Sequence, residues 1–281
     1  MLEREGLQMD IRDFRAANDQ SNDSIQLAGF LLEQLGASPD MPLRPADEVK
    51  LEAMESFRFG SNDSRVGWRA GNGPPVLIVH GYSGRAAQML PIADMVVSNG
   101  YEAILFDAGG HGASRPEKIG FFTFINDVRD IAEYLNIPFH MMIGHSAGAL
   151  AMMRSRELYD VWADKYAVIA APFYPYVPLN SLRAAGATDP SIDHVKSALS
   201  DQFRTDWASL VAGRAFSPEA DKSMLAIYDL DDPKVQHTDA ECILSVWHGT
   251  QIVKTIGQGH NKILKSPETL SAISHFLQNG S

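Results

Sequence analysis

Cysteine is nearly absent from this chain. Cys242 stands alone, so no intrachain disulfide can form and no thiolate metal cluster can assemble. Basic residues are scarce too: 24 Lys and Arg stand against 35 Asp and Glu, a formal net charge of −11. Nucleic-acid binders carry basic patches and anionic membrane surfaces attract basic segments, so neither nucleic acid nor membrane is expected as a partner. Long apolar runs are missing. The longest, about Tyr166 to Val177, is too short to span a bilayer and contains Pro172 and Pro175. The start, Met1 to Gly6, lacks the basic-then-apolar pattern of a signal peptide. No pair among the nine histidines shows His-x₃-His spacing, and none shows Cys/His ligand spacing, so no metal or cofactor is expected. Repeats and low-complexity tracts are also lacking. Together these absences describe a soluble cytoplasmic protein.

What is there suits a substantial core: 45% of the 281 residues are hydrophobic, enough for one large α/β domain or two small ones. Residues 1–54 read as an N-terminal helical extension. Ile25, Leu27, Phe30, Leu31, Leu32 and Leu35 recur at helical spacing, and Pro45 opens a second helix through Met54. Such a stripe packs on the main domain or on another subunit of a homo-oligomer. From residue 55 onward strands and helices alternate. Strand candidates are Ser56–Phe59, Arg65–Arg69, Val76–His80, Glu102–Asp107, His140–Gly144, Tyr166–Ala171, Met224–Leu230 and Gln251–Ile256. Helix candidates between them are Arg85–Ser98, Phe122–Leu135, Ala147–Tyr159, Thr238–Val246 and Ser266–Gln278. Most strands after residue 75 are apolar throughout, which marks a mostly parallel sheet of about eight strands flanked by helices on both faces. The alternation breaks once, between Ala171 and Met224. Residues 173–222 therefore read as a small helical cap inserted between two core segments, 55–172 and 223–281.

Gly144-His145-Ser146-Ala147-Gly148 lies between an apolar run and a helix-forming run. A serine on a sharp strand-to-helix turn, with glycines where a Cβ would strike the crossing backbone, presents its hydroxyl clear of the sheet. Ser146 is thus a candidate nucleophile. A serine hydroxyl needs a base, and the base needs a partner that fixes its tautomer. His260 is the base candidate, in a glycine-flanked loop just after the last strand. His145 adjoins the serine but points the wrong way off the turn. The acid should follow the strand ending near Tyr228. Asp232 is chosen because it lies farthest past that strand and Pro233 fixes the chain there. Asp231 is the runner-up, and Asp229 sits close to the strand end. An oxyanion would need two backbone N–H groups, for which Ala147 and Tyr82 are placed, the latter just after Gly81. Tyr174 and Tyr176 open the cap and are candidates to line a substrate pocket.

Taken together these residues resemble the α/β-hydrolase superfamily, whose chain order of nucleophile, acid and base matches Ser146, Asp232, His260. Asp107-Ala108-Gly109-Gly110-His111-Gly112-Ala113-Ser114 resembles that family's D-x-x-G-H-G-x-S turn, in which His111 would be structural. Gly259-His260-Asn261-Lys262 and Pro42-Leu43-Arg44-Pro45 are similar to a subgroup of small bacterial hydrolases. The chain departs from the pattern at Gly110, where relatives carry Pro or Ala, and at Asp229, where a small residue is usual. The resemblance implies the fold and the machinery but names no substrate. The leading reading is a serine hydrolase that cleaves a carboxylic ester or thioester through an acyl-enzyme, and Tyr82 with the aromatic run at the cap start points to a small, apolar acyl group. Amide, lactone or carbon–carbon hydrolysis and acyl transfer would use the same parts. The remaining alternative is a ligand-binding protein that keeps the fold with its chemistry idle.

Overall fold

Val76, Leu77, Ile78 and Val79 are all buried, although neighbours on a strand point to opposite faces. Both faces must then be covered. The computed structural model shows how; it describes residue 36 and residues 42–115, 117–184, 186–217 and 222–279. The strands are β1 (Glu55–Phe59), β2 (Arg65–Ala70), β3 (Pro75–Val79), β4 (Glu102–Asp107), β5 (Phe139–His145), β6 (Ala163–Ile169), β7 (Ser223–Asp229) and β8 (Gln251–Thr255). They form a single eight-stranded sheet in the order β1-β2-β4-β3-β5-β6-β7-β8. β1–β2 and β2–β4 pair antiparallel, and every later pair is parallel. The fold class is the one the sequence implies.

The helices are α1 (Pro45–Glu52), α2 (Leu90–Ser98), α3 (Phe121–Leu135), α4 (Ser146–Tyr159), α5 (Val177–Ala184), α6 (Asp189–Phe203), α7 (Trp207–Val211), α8 (Asp239–Val246), α9 (Gly259–Lys262) and α10 (Pro267–Asn279). One face of the sheet, including Leu77, Val79, Phe106 and Met142, packs on Phe124, Val128 and Ile131 of α3, Leu150 and Met153 of α4 and Ile243 of α8. The other face, including Val76, Ile78, Leu105 and Ile143, packs on Ile92 and Val96 of α2 and Ile273 and Phe276 of α10. Burying each such side chain contributes about 1.5–3 kcal/mol, so central strands such as β3 are apolar because both of their faces meet a helix layer.

Helices α5, α6 and α7 occupy the interval between β6 and β7. They are fastened to the body: Phe121 and Phe203 meet ring to ring at 4.8 Å, and the Phe121 N–H donates to Gln202 Oε1 at 2.8 Å. The buried Arg154 of α4 donates through Nε to the Phe203 carbonyl at 2.8 Å and through Nη2 to that of Arg204 at 3.1 Å. The second helix of the extension is present as α1, with Leu51 buried. The stripe from Ile25 to Leu35 lies outside the described residues. Among the described residues no helix is long and apolar enough to cross a membrane.

Candidate active site

β5 is a central strand, and Ser146 follows its last residue directly. The serine takes φ +51°, a left-handed conformation that costs energy in a residue bearing a Cβ. The surroundings enforce it. A Cβ on Gly144 would lie 2.5 Å from Ala149 Cα, and one on Gly148 would lie 1.9 Å from the His80 carbonyl oxygen. Helix α4 starts at Ser146, so the Ala147 N–H belongs to a helix N-terminus, where amide donors have no intrahelical acceptor. The loop after β3 closes in from the side: a Cβ on Gly81 would come 3.2 Å from Ser146 Cβ.

Three loops at the same sheet edge bring Ser146, His260 and Asp232 together. The Ser146 hydroxyl donates to His260 Nε2 at 2.9 Å, and His260 Nδ1–H donates to Asp232 Oδ2 at 2.8 Å. The His260 and Asp232 side chains are only 10% and 2% exposed, so the pair is shielded from competing water. The other carboxylate oxygen of Asp232 accepts the N–H groups of Lys234 at 2.8 Å and Val235 at 3.1 Å. Burial works against ionising Asp232, but the hydrogen bond and charge of His260 and those two amides outweigh it and hold its carboxyl below the usual carboxylate range. Asp231 faces elsewhere: its Oδ2 accepts the N–H of Gly257 at 3.0 Å.

Two buried histidines hold the loop after β3. His80 donates through Nδ1 to the Gly81 carbonyl at 2.8 Å and accepts the Ala108 N–H at Nε2, 3.0 Å away. His111 donates through Nδ1 to the Gly109 carbonyl at 3.0 Å and accepts the Ser83 N–H at Nε2, 3.2 Å away. Each ring is used as donor and acceptor, which only the neutral imidazole can be. Burial above all pushes both pKa values down to about 4. The turn Gly81–Gly84, which contains Tyr82, is closed by the Gly84 N–H on the Gly81 carbonyl at 3.0 Å. Asp107 anchors the same region, accepting the N–H groups of Ala86 at 2.6 Å and Ala113 at 2.7 Å.

The two pocket candidates have the following partners. Tyr176 is 6% exposed, and its hydroxyl donates to Asp239 Oδ2 at 2.6 Å and accepts the Gln236 N–H at 2.9 Å. Tyr174 is half-buried and meets Tyr176 at 5.1 Å and Trp207 at 5.8 Å between ring centroids. Tyr176 therefore ties the stretch after β6 to the start of α8. Sequence reasoning overlooked Asp239 in that tie. It weighed His145 only as a base and Asp229 only as an acid, and not the ties they make: His145 Nε2 donates to the His260 carbonyl at 2.9 Å, and Asp229 accepts the Gln258 and Gly259 N–H groups at 3.0 and 2.9 Å.

A family model described as serine aminopeptidase, S33, matches residues 74–215, which takes in β3 through α7 and the serine turn. The non-heme chloroperoxidase CPO-A1 of Kitasatospora aureofaciens is 26% identical over 145 residues, 51% of this chain and 53% of that protein. The chain spans about half the length of the curated relatives it matches. Among solved structures, the Pyrococcus furiosus esterase Pf2001 superposes with TM-score 0.63 at 18% identity, covering 86% of this chain and 96% of that one. The esterase RhEst1 from Rhodococcus sp. ECU1013 gives TM-score 0.61 at 17% identity, covering 80% and 99%.

Proposed function

The chain belongs to the α/β-hydrolase superfamily, in the serine aminopeptidase S33 family, and from that premise we propose that it is a serine hydrolase of carboxylic esters or thioesters. The observation that carries this reading is the continuous relay from the Ser146 hydroxyl through His260 to the Asp232 carboxylate. Ser146 Oγ attacks the acyl carbonyl as its proton passes to His260 Nε2. Asp232 fixes the tautomer that leaves Nε2 free to receive that proton and steadies the imidazolium that results. The backbone N–H groups of Ala147 and Tyr82 hold the oxyanion of the tetrahedral intermediate, the first from a helix N-terminus that favours negative charge. The leaving alcohol or thiol departs with the proton from His260. Water then attacks the acyl-enzyme, with His260 again as base, and the acid is released. No metal or cofactor enters the scheme.

The esterases that share this fold favour ester cleavage over the amide, lactone and carbon–carbon reactions the same residues would support. We assign residues 173–222 as a cap over the serine edge of the sheet and Tyr174 and Tyr176 as walls of its acyl pocket, with a small apolar acyl group as substrate. The cytoplasm is the proposed location.

The test is labelling with a fluorophosphonate and turnover of a p-nitrophenyl ester series of increasing acyl length. Wild-type protein is expected to react in both assays. Ser146→Ala is expected to lose the label and about 10⁶-fold in kcat, the scale at which loss of the nucleophile disables a whole triad. Labelling that persists in Ser146→Ala would move the nucleophile elsewhere.

A further inference from the structure

The loops that carry Asp232 and His260 are knotted together by a residue with no place in the proton relay. Asp229 is the last residue of β7 and is 1% exposed. Its Oδ1 accepts the N–H groups of Asp231 at 3.0 Å and Gly259 at 2.9 Å. Its Oδ2 accepts the Thr255 hydroxyl at 2.7 Å and the Gln258 N–H at 3.0 Å. Four donors occupy the four lone-pair directions of one carboxylate. Burial opposes its ionisation, but the Thr255 hydroxyl and the three amides prevail and keep its carboxyl below the usual range.

Two of those donors, Gln258 and Gly259, are the amides immediately before His260. His145 takes the other flank through its bond to the His260 carbonyl. Asp231 accepts the Gly257 N–H at 3.0 Å, and packing around the two glycines is sparse. Gly257 and Gly259 stand at φ +76° and +60°, and a Cβ at either would meet nothing within 4 Å. Hydrogen bonds to Asp229 therefore do the fixing that packing does elsewhere. This also accounts for the departure noted in the sequence, since the usual small residue would leave these donors without their acceptor.

We propose that Asp229 is a positioning residue, whose carboxylate sets the place of the His260 ring between Ser146 and Asp232. The proposal rests on the triad reading above. Asparagine is the discriminating substitution. It has one acceptor oxygen and one NH2 group, so in either orientation at least one backbone N–H must face a donor.

Kinetics on p-nitrophenyl acetate and proton NMR of the full chain test it together. Asp229→Asn is expected to lower kcat by about 10- to 100-fold, as for an ångström-scale misplacement, with KM nearly unchanged. The far-downfield resonance of the His260 Nδ1 proton, assigned by its loss in His260→Ala, is expected to vanish or broaden while thermal unfolding stays cooperative. An unchanged kcat with the resonance in place would overturn the proposal, as would lost activity with the resonance intact. If Asp229→Asn does not fold, Thr255→Val removes one of the four donors without touching the backbone. A fall in kcat at constant KM is then expected, and an unchanged kcat overturns the idea. Should wild-type protein neither hydrolyse the ester nor take the fluorophosphonate label, the hydrolase reading fails by itself, and the resonance alone decides the role of Asp229.

Discussion

On one side of Ser146 the loop after β3 hangs on two imidazoles, His80 and His111; on the other, the loops after β7 and β8 hang on the carboxylates of Asp229, Asp231 and Asp232. Both rims flank Ser146, yet they rely on opposite charge states. The imidazole rim works only while neutral, and burial enforces that neutrality. The carboxylate rim works only while ionised, and donated hydrogen bonds enforce that. Each rim therefore meets acid differently. A histidine whose pKa is lowered from 6.5 to about 4 stabilises the fold fully above 6.5 and loses that contribution as pH falls toward 4. Asp229 and Asp232, held below 3.8, stabilise the fold above that value and lose their contribution only as pH falls below it. Mild acid should thus loosen the loop after β3 first.

The comparison is most open to attack at the carboxylate rim. Asp232→Asn is expected to cost about 10⁴-fold in kcat, because an amide there favours the wrong His260 tautomer. Asp231→Asn, which disturbs only the tie to Gly257, is expected to cost far less. Steady-state kinetics on one ester rank the two, and the reverse order would exchange their roles. The imidazole rim is probed by urea unfolding between pH 6.5 and 4. Each of His80 and His111 is expected to contribute up to ~1.4 kcal/mol of lost stability per pH unit across that window. His145, lowered to about 3 mainly by burial, adds a third share. His111→Gln should flatten the slope by one histidine's share, whereas a slope equal to wild type would remove His111 from the account. The smallest effect lies outside both rims. Tyr176→Phe strips the hydroxyl from Asp239 and Gln236 and is expected to destabilise by about 1–3 kcal/mol in the same unfolding assay. No change would mean that water replaces the hydroxyl and that the Tyr176 tie is dispensable.

The central strands were legible because two-sided burial leaves apolar runs, and the serine turn because its glycines have a steric cause. Boundaries were less so. β6 begins at Ala163, not Tyr166, because its pairing with β5 runs on through Asp164 and Lys165, whose polarity hides the strand. Helix α5 was missed because Pro178 reads as a break, although proline fits the first turn of a helix. The deeper gap concerns Asp229 and His145. Their partners are backbone groups of the His260 loop, and a backbone group leaves no trace in residue type. An aspartate that ends a strand looks the same in sequence whether it faces water or ties two loops. Tyr176 stood out in sequence as an aromatic in the run Phe173–Val177, but its bond to Asp239 joins residues 63 positions apart.

The relay also has an order in time. His260 lies 114 residues after Ser146 and 28 after Asp232. On the proposed reading a ribosome releases the nucleophile long before the base that would activate it. Until β8 pairs with β7 and brings the His260 loop over β5, Ser146 is an ordinary alcohol. On that reading the unit is divided along the chain and is closed only once β8 has followed β7 out, so a partly made chain carries no activated serine.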